Sequence, residues 1–520
     1  MLKIRNTLKY VFWLLGVCAL GVFLAVIIPI KSTPMVGIQG DFAITHVNIV
    51  DTVDGNILED MSVLVEKGRI SKIIASGDTQ LDPNFHVISG KDKYLLPGLW
   101  DMHTHSLKLS PQLHHPLFIR NGVTSIRDMS GCLNNDDSYW ACPNDRNLWE
   151  EQAINGERIS PRYPLQSSYQ TNGGTEVPGS YPAFFRLENL EDARKLVDFY
   201  STQSVDFIKT YTQLTLDQYN RLVVSATQRG IDIAGHKPIS VSLDHALKTQ
   251  MKSIEHGRLF MFECFTGIEE FRKLTDPISQ YNAQFIGGML ENQNPEKCEG
   301  EMVAMANSET NWVPTLTTLK MSAEVRETSF REDSRLKYIP YVVKKLLWEP
   351  DAERASKHGY DEKGNFVHAD FYAAVTAQIK KANDLGVKLL AGTDNIDTYV
   401  FTGTSLHDEL AMLVEAGLTP LEAIQTATIN PAKFSGLDEE FGSVEINKQA
   451  DLILLNENPL LDIRNTADIY GVMFSVQYFD RQALEALDKF VTKSAKSIRV
   501  NIRFLYNLLA SPLMRVQLVD

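Results

Sequence analysis

Cysteine is scarce in this chain, five residues in 520, and no two of them stand in CxxC-type spacing. That argues against a thiolate zinc site. Beyond Cys18, the four cysteines Cys132, Cys142, Cys264 and Cys298 allow three disulfide pairings. Nearest-neighbour pairing is the simplest, and four unpaired thiols are the alternative. An excess of basic charge is lacking too: 51 Lys and Arg stand against 65 Asp and Glu, a net charge of −14. Acids are missing from residues 1–40, and the last thirty-odd residues carry Lys489, Lys493, Lys496, Arg499, Arg503 and Arg515 against Asp520 alone. The body between is therefore more acidic than the total. An acidic body argues against nucleic acid as a partner, because phosphates demand a basic face. A phosphate cradle is absent as well. The glycine-rich piece TNGGTEVPG is followed by no Lys-Ser/Thr and no strand–helix frame.

Charge is also missing from Tyr10 to Ile30, after Lys3, Arg5 and Lys9. A run of about twenty apolar residues is long enough to span a bilayer, and the basic flank favours a cytoplasmic N-terminus. The expectation is a membrane anchor with an extracytoplasmic body, periplasmic in a Gram-negative bacterium, and Cys18 as a membrane-buried thiol. A signal peptide would show a shorter core and a small-residue cleavage site. At the other end, Ile498, Ile502, Leu505, Leu509 and Leu513 recur at helical spacing with basic residues between. Residues 489–520 read as a basic amphipathic helix on a membrane surface. The alternative is a terminal helix docked on the body or on another subunit, which leaves a homo-oligomer open.

By length alone the chain has room for two or three domains. Residues 41–97 alternate apolar and polar positions in FAITHVNIV, MSVLVEKG and ISKIIASG, separated by turn residues such as Asp54, Gly55 and Gly77. These read as hairpin strands. From LLPGLWDMHTH onward, short apolar runs alternate with helical stretches such as ENLEDARKLVDFYS and LDQYNRLVVSATQRG. Such alternation argues for parallel strands with crossover helices. Eight units would make a barrel.

Six residues stand at the ends of these apolar runs: His103 and His105 in PGLWDMHTHS, Lys209 in DFIKTY, His236 in IAGHKP, His256 in SIEHG, and Asp394 in LLAGTDN. Imidazole and carboxylate are ordinary ligands for zinc and similar ions. A lysine ammonium repels a cation. Carboxylation of its amine by CO2 turns it into an anionic oxygen ligand able to bridge two metals. His103 and His105, two apart on an extended segment, point the same way.

These residues and their flanks, together with NGVTSIRDM and LHDELAMLVEAGLTPLEAIQTATINPAKFSGL, resemble the amidohydrolase superfamily over residues 41–488. The likeness is to its imidazolonepropionase-like and Xaa-Pro-dipeptidase-like metal hydrolases. It implies an α/β protein, a (β/α)8 TIM barrel over 98–436 with a small β-sandwich built from 41–97 and 437–488. A stub and transmembrane helix over 1–40 would precede it. It also implies two divalent ions, zinc by preference, held by His103, His105, Lys209, His236, His256 and Asp394, with a CO2-derived carboxylate on Lys209. His103, His105 and Asp394 would serve one ion, His236 and His256 the other, and Lys209 both.

The function implied is hydrolysis of an amide or peptide-like C–N bond by a metal-bridged hydroxide. Asp394 would be general base and then general acid, and the substrate a small amide or dipeptide-like molecule. One departure is GHKP where dipeptidase-like members show HAHG, which places Lys237 near the site. The alternatives are a one-metal deaminase or cyclic-amide hydrolase on the same barrel, and an inactive membrane-tethered binding protein. HKPISVSLD lacks the glutamate that deaminases of this fold carry after the strand-five histidine. Tyr211, Arg127, His407 and Lys237 are candidate substrate contacts. Packing inside the body, or for Arg127 an ion pair with Asp128 or another acid, is the competing reading.

Overall fold

The computed structural model describes residues 13, 16–17, 19–78, 81–133, 136–174, 177, 179 and 181–517. Its strands are β1 (Ile38–Gln39), β2 (Phe42–Val50), β3 (Ile57–Glu66), β4 (Arg69–Ala75), β5 (His86–Ser89), β6 (Tyr94–Pro97), β7 (Leu99–Thr104) and β8 (Val123–Asp128). They continue with β9 (Arg162–Gln166), β10 (Phe207–Thr210), β11 (Asp232–Gly235), β12 (Ser253–Glu255), β13 (Asn311–Val313), β14 (Leu452–Leu455), β15 (Ile469–Phe474) and β16 (Gln477–Phe479).

One nine-stranded sheet draws on both ends of the chain, in the order β1-β16-β15-β14-β6-β2-β3-β4, with β5 beside β2. Its alternation comes from the sequence. In β2, Phe42 and Ile44, then Val47 and Ile49 past an irregularity at His46, turn inward onto Val63, Leu452 and Leu454, each pair keeping a period of two. A second layer is parallel. It consists of β7-β8-β9 and β10-β11-β12-β13, a curled sheet whose strands are buried throughout their inner runs.

Parallel bridges join its pieces: Ser167 to Phe207, Trp312 to Leu389, and Asn395 to Thr104. The LLAGTDN segment forms no regular strand. It is nevertheless held between β13 and β7 by backbone bonds, Leu390 N–H to Trp312 O at 3.0 Å, Met102 N–H to Ala391 O at 2.9 Å and Asp394 N–H to His103 O at 2.8 Å. Gly392 explains the close approach. A Cβ there would sit 2.8 Å from the His103 nitrogen, a contact no side chain tolerates.

The cysteines pair as nearest neighbours, Cys132 with Cys142 and Cys264 with Cys298. The first pair closes the loop that carries Trp140.

The termini differ from the expectation. Among the described residues no helix is long and apolar enough to cross a membrane. Part of the Tyr10–Ile30 run, Cys18 included, lies outside the described residues. Among the described residues of the run, helix is found at 13, 16, 17 and 19–27. Beyond residue 27 the backbone leaves the helix, and the carbonyls of Ile28 and Pro29 accept from Arg499. This overturns the expected transmembrane anchor and the extracytoplasmic placement that rested on it.

The C-terminal segment is three helices rather than one: α1 (Arg481–Lys496), α2 (Ile498–Ala510) and α3 (Pro512–Gln517). Ser497 interrupts the first two because its side chain caps α2, accepting from Val500 N–H, and Pro512 cannot extend α2. Helix α2 docks on the body. Val500, Phe504 and Leu508 pack against Leu107, Leu109, Leu113 and Tyr139. Two of the basic residues that suggested a membrane surface, Arg499 and Arg503, instead donate to the chain's own carbonyl at Ile28.

Candidate metal centre

His103, His105, Lys209, His236, His256 and Asp394 all line one cavity of about 430 Å³. The backbone that delivers them is unusual at two points. His256 has φ +74° and Asp394 φ +62°, a region that L-residues with side chains rarely enter. Such strain persists where surrounding structure over-determines it, and it clusters at functional sites. His256 and its neighbour Glu255 both reach His103, Glu255 Oε2 at 2.9 Å from Nδ1 and the His256 ring at 5.0 Å between centroids. At β11 a glycine is required. Gly235 has φ +121°, and a Cβ there would lie 2.6 Å from Thr210 O and 3.0 Å from Lys209 Cγ.

The donor atoms converge. His105 Nε2 is 2.9 Å and His103 Nε2 3.4 Å from Asp394 Oδ1, and His256 Nδ1 is 3.7 Å from Asp394 Oδ2. His103, His105 and Asp394 together could hold a metal ion, with one ligand atom from each lying within 4.8 Å of the others. His236 Nε2 and His256 Nε2 face one another at 2.8 Å.

The orientation of His103 is set from behind. Its Nδ1 bonds Glu255 Oε2 at 2.9 Å, which leaves Nε2 buried and without a hydrogen-bond partner. An imidazole held by a carboxylate on one nitrogen and bare on the other is the arrangement of a metal-ligating histidine. His256 is steadied similarly, Nδ1 to Thr315 Oγ1 at 2.9 Å. Thr315 stands at the start of the helix Leu316–Glu324, whose first amides, Leu316 and Thr317, donate to buried Glu409 at 2.9 and 3.0 Å. Asp101 ties the Asp394 segment to β7, accepting from His103 N–H at 3.2 Å and from Thr393 N–H at 3.0 Å.

Protonation follows from burial and neighbours. Burial, and then the charge of His256, pushes His236 well below the imidazole range, and burial does the same to His256 against the pull of Asp394. Both are neutral near pH 7, the form that ligates metal. Burial disfavours the Asp394 carboxylate, but His103 and His105 outweigh it and hold the carboxyl well below its usual range. Burial pushes the Lys209 amine down, against Asp394 and Glu255. Nearby Asp397 is pushed up to about 7 by burial and then by Asp394.

The other sequence candidates divide. Tyr211 lines the cavity and stacks on His236, ring centroids 4.1 Å apart. Arg127 does not reach it. Its guanidinium is fully buried, donating to both Glu255 oxygens at 2.8 and 2.9 Å, to Ser253 Oγ and to Met102 O. The acid beside it is Glu255 rather than Asp128. His407 lies elsewhere, bonded to Thr466 Oγ1 and Asn121 O. Lys237 points into a different small cavity and pairs with Glu263 at 2.9 Å. Residues that sequence reading missed also line the site: Trp140, Arg258, Asp397 and Met514. Glu255, beside His256 in SIEHG, carried a signal in its acid–histidine adjacency. Trp140 and Met514 carried none, since they arrive from a loop and a terminal helix.

Comparison with known proteins agrees with the resemblance seen in the sequence. The amidohydrolase family model matches residues 355–477, a stretch containing Asp394 and His407. The fold is shared with bottromycin amidohydrolase, at 21% identity and a TM-score of 0.63 over 88% of this chain and 90% of that one. It is also shared with a Xaa-Pro dipeptidase with bound methionine, at 19% identity and a TM-score of 0.60 over 85% of this chain and 100% of that one. Curated relatives match over shorter stretches. Adenine deaminase 4 of Rhizobium meliloti is 23% identical over 168 residues, 31% of this chain and 27% of the relative. The 5'-deoxyadenosine deaminase of Methanobrevibacter smithii is 36% identical over 75 residues, 14% of this chain and 17% of the relative. The chain thus spans about a quarter or less of these curated relatives.

Proposed function

We propose that this chain is a hydrolase of the amidohydrolase superfamily that cleaves an amide or peptide-like C–N bond at a two-metal centre. The curled parallel sheet is read as a (β/α)8 barrel over 98–436, closed through the 388–395 segment. The flanking sheet is its small companion domain. The observation that carries the reading is His103. Its Nδ1 is fixed by Glu255 and its bare, buried Nε2 is aimed at Asp394, with His105 completing the set.

His103, His105 and Asp394 would hold one divalent ion, zinc by preference, and His236 and His256 a second. Lys209, once carboxylated by CO2, would supply an anionic oxygen ligand to them. Its lowered amine pKa leaves more of the neutral amine, whose lone pair would form the N–C bond to CO2 as one C–O π bond opens onto oxygen, the N–H proton passing to water. When bound, such ions polarise a carbonyl and bring the pKa of water near neutrality. Asp394, ionised and in reach of His103, His105 and His256, takes a proton from the attacking water on a free Oδ and returns it to the leaving nitrogen. Tyr211 and Arg258, on the cavity wall, contact the substrate.

Deaminase chemistry is the second reading, favoured by the curated relatives. One experiment separates them. The full chain, loaded with zinc, is given dipeptides, N-acyl amino acids and cyclic amides, with adenine and 5'-deoxyadenosine alongside. Amine release from an acyclic amide is expected. Ammonia from a purine, with all amides intact, would replace the hydrolase reading.

A further inference from the structure

Beside the metal cavity lies a second one of about 190 Å³, and Ile396 and Asp397 belong to the walls of both. Its remaining lining is largely apolar: Leu107, Leu113, Val343, Leu347, Trp348 and Phe504 among others. Five separate parts of the chain build it, Tyr139 on its disulfide-closed loop among them. Leu107 and Leu113 follow β7, and Ile396 follows Asp394. Val343 to Trp348 includes a turn of π-helix, a form that recurs at functional sites. Phe504 comes from docked α2, edge-on to Tyr139 at 5.5 Å. The adjoining α3 sends Met514 into the metal cavity itself. The C-terminal helices thus contribute to both chambers. A polar group in the apolar wall is already satisfied, since His114 Nδ1 bonds Ser110 Oγ at 2.9 Å.

We infer that this chamber is the specificity pocket for the same site, taking an uncharged apolar group of the substrate while the scissile C–N bond lies at the metal centre. The inference rests on the hydrolase reading above and narrows it to amides carrying an aromatic or medium-length aliphatic group. The size fits. A cavity of about 150 Å³ lined by aliphatic and aromatic side chains holds benzene. This one has room for a phenyl ring or a chain of roughly six carbons. Chain methylenes leaving water for such a lining gain affinity in steps, so the pocket discriminates by length.

The test uses the full zinc-loaded chain and two probes that share one metal-binding head, acetohydroxamate and hexanohydroxamate, with affinities measured by calorimetry. The longer probe is expected to bind about a hundredfold more tightly, four added methylenes being buried. Leu347→Trp and, independently, Val343→Trp fill the chamber. Each is expected to remove most of that gain while leaving acetohydroxamate affinity unchanged. Equal affinity of the two probes for the unaltered chain would overturn the pocket and leave the hydrolase reading standing. A gain that survives both filling variants would also overturn it. Failure of acetohydroxamate itself to bind would sink the metal-centre reading, and the pocket with it.

Discussion

Asp394→Asn keeps its metal and loses turnover by a factor of about a thousand or more, in line with removal of a general acid–base group. The asparagine retains an oxygen that can ligate, and the histidines that surround it are unchanged. What disappears is the charge that His103 and His105 hold ionised, and with it the ability to take and return a proton. The readout is kcat on the best amide from the substrate panel, with metal content measured on the same sample. A binding protein that has inherited the barrel predicts the opposite, with no activity to lose and no change in ligand affinity. An Asp394→Asn chain that turns over within a few-fold of the parent would remove Asp394 from the chemistry.

Arg127→Ala costs about 3–5 kcal/mol of stability, the usual penalty for leaving one member of a buried ion pair alone. Glu255 is fully buried and would keep its charge without its main partner. Burial acts to raise the Glu255 carboxyl, but Arg127 and then His103 draw it down to about 2. A folded pKa below the ordinary glutamate value of 4.5 means that the stabilisation is present above pH 4.5 and is lost as pH falls toward 2. In Arg127→Ala this acid-sensitive portion should be largely gone, so the urea midpoint drops at pH 7 and varies less between pH 5 and 3. The double variant Arg127→Met, Glu255→Leu should recover much of the stability, because well-packed apolar residues replace buried pairs at little cost. It should not recover activity, since His103 then lacks the carboxylate that sets its tautomer. A midpoint unchanged in Arg127→Ala would contradict the structural role assigned to this arginine.

The candidate ligands were legible because short apolar runs and turn punctuation mark where a buried segment stops, and because their flanks resemble a known family. His103, His105, Lys209, His236, His256 and Asp394 all came together on that basis. Arg127 shows the limit. Alternation places it facing inward but does not say whether an inward residue reaches the cavity or the layer beneath, and the guanidinium lies in that layer against Glu255. The Glu255–His103 bond spans 152 residues of sequence, which local pattern cannot express.

The C-terminal helix shows a different limit. Spacing marked Ile498, Ile502, Leu505, Leu509 and Leu513 as one apolar face, of which Leu513, on α3, is buried. Docking buries Val500, Phe504 and Leu508 instead, leaving Ile498 79% and Leu509 57% exposed. A helix with apolar residues on two faces leaves the choice to its partner. The N-terminal run misled by composition. Its apolar length satisfied a bilayer, while the described helical part ends at residue 27 and the chain beyond it is tied to α2.

The central claim is a two-metal centre bridged through Lys209, and counting metals tests it most directly. The full chain and Lys209→Ala are purified side by side without chelator, supplied with zinc, checked for folding by circular dichroism, and analysed for metal per chain. The account predicts about two zinc-like ions in the parent and a sharp fall in the variant, because the carboxylated amine is the ligand that both ions share. About one ion in each would contradict it and turn the search to one-metal chemistry.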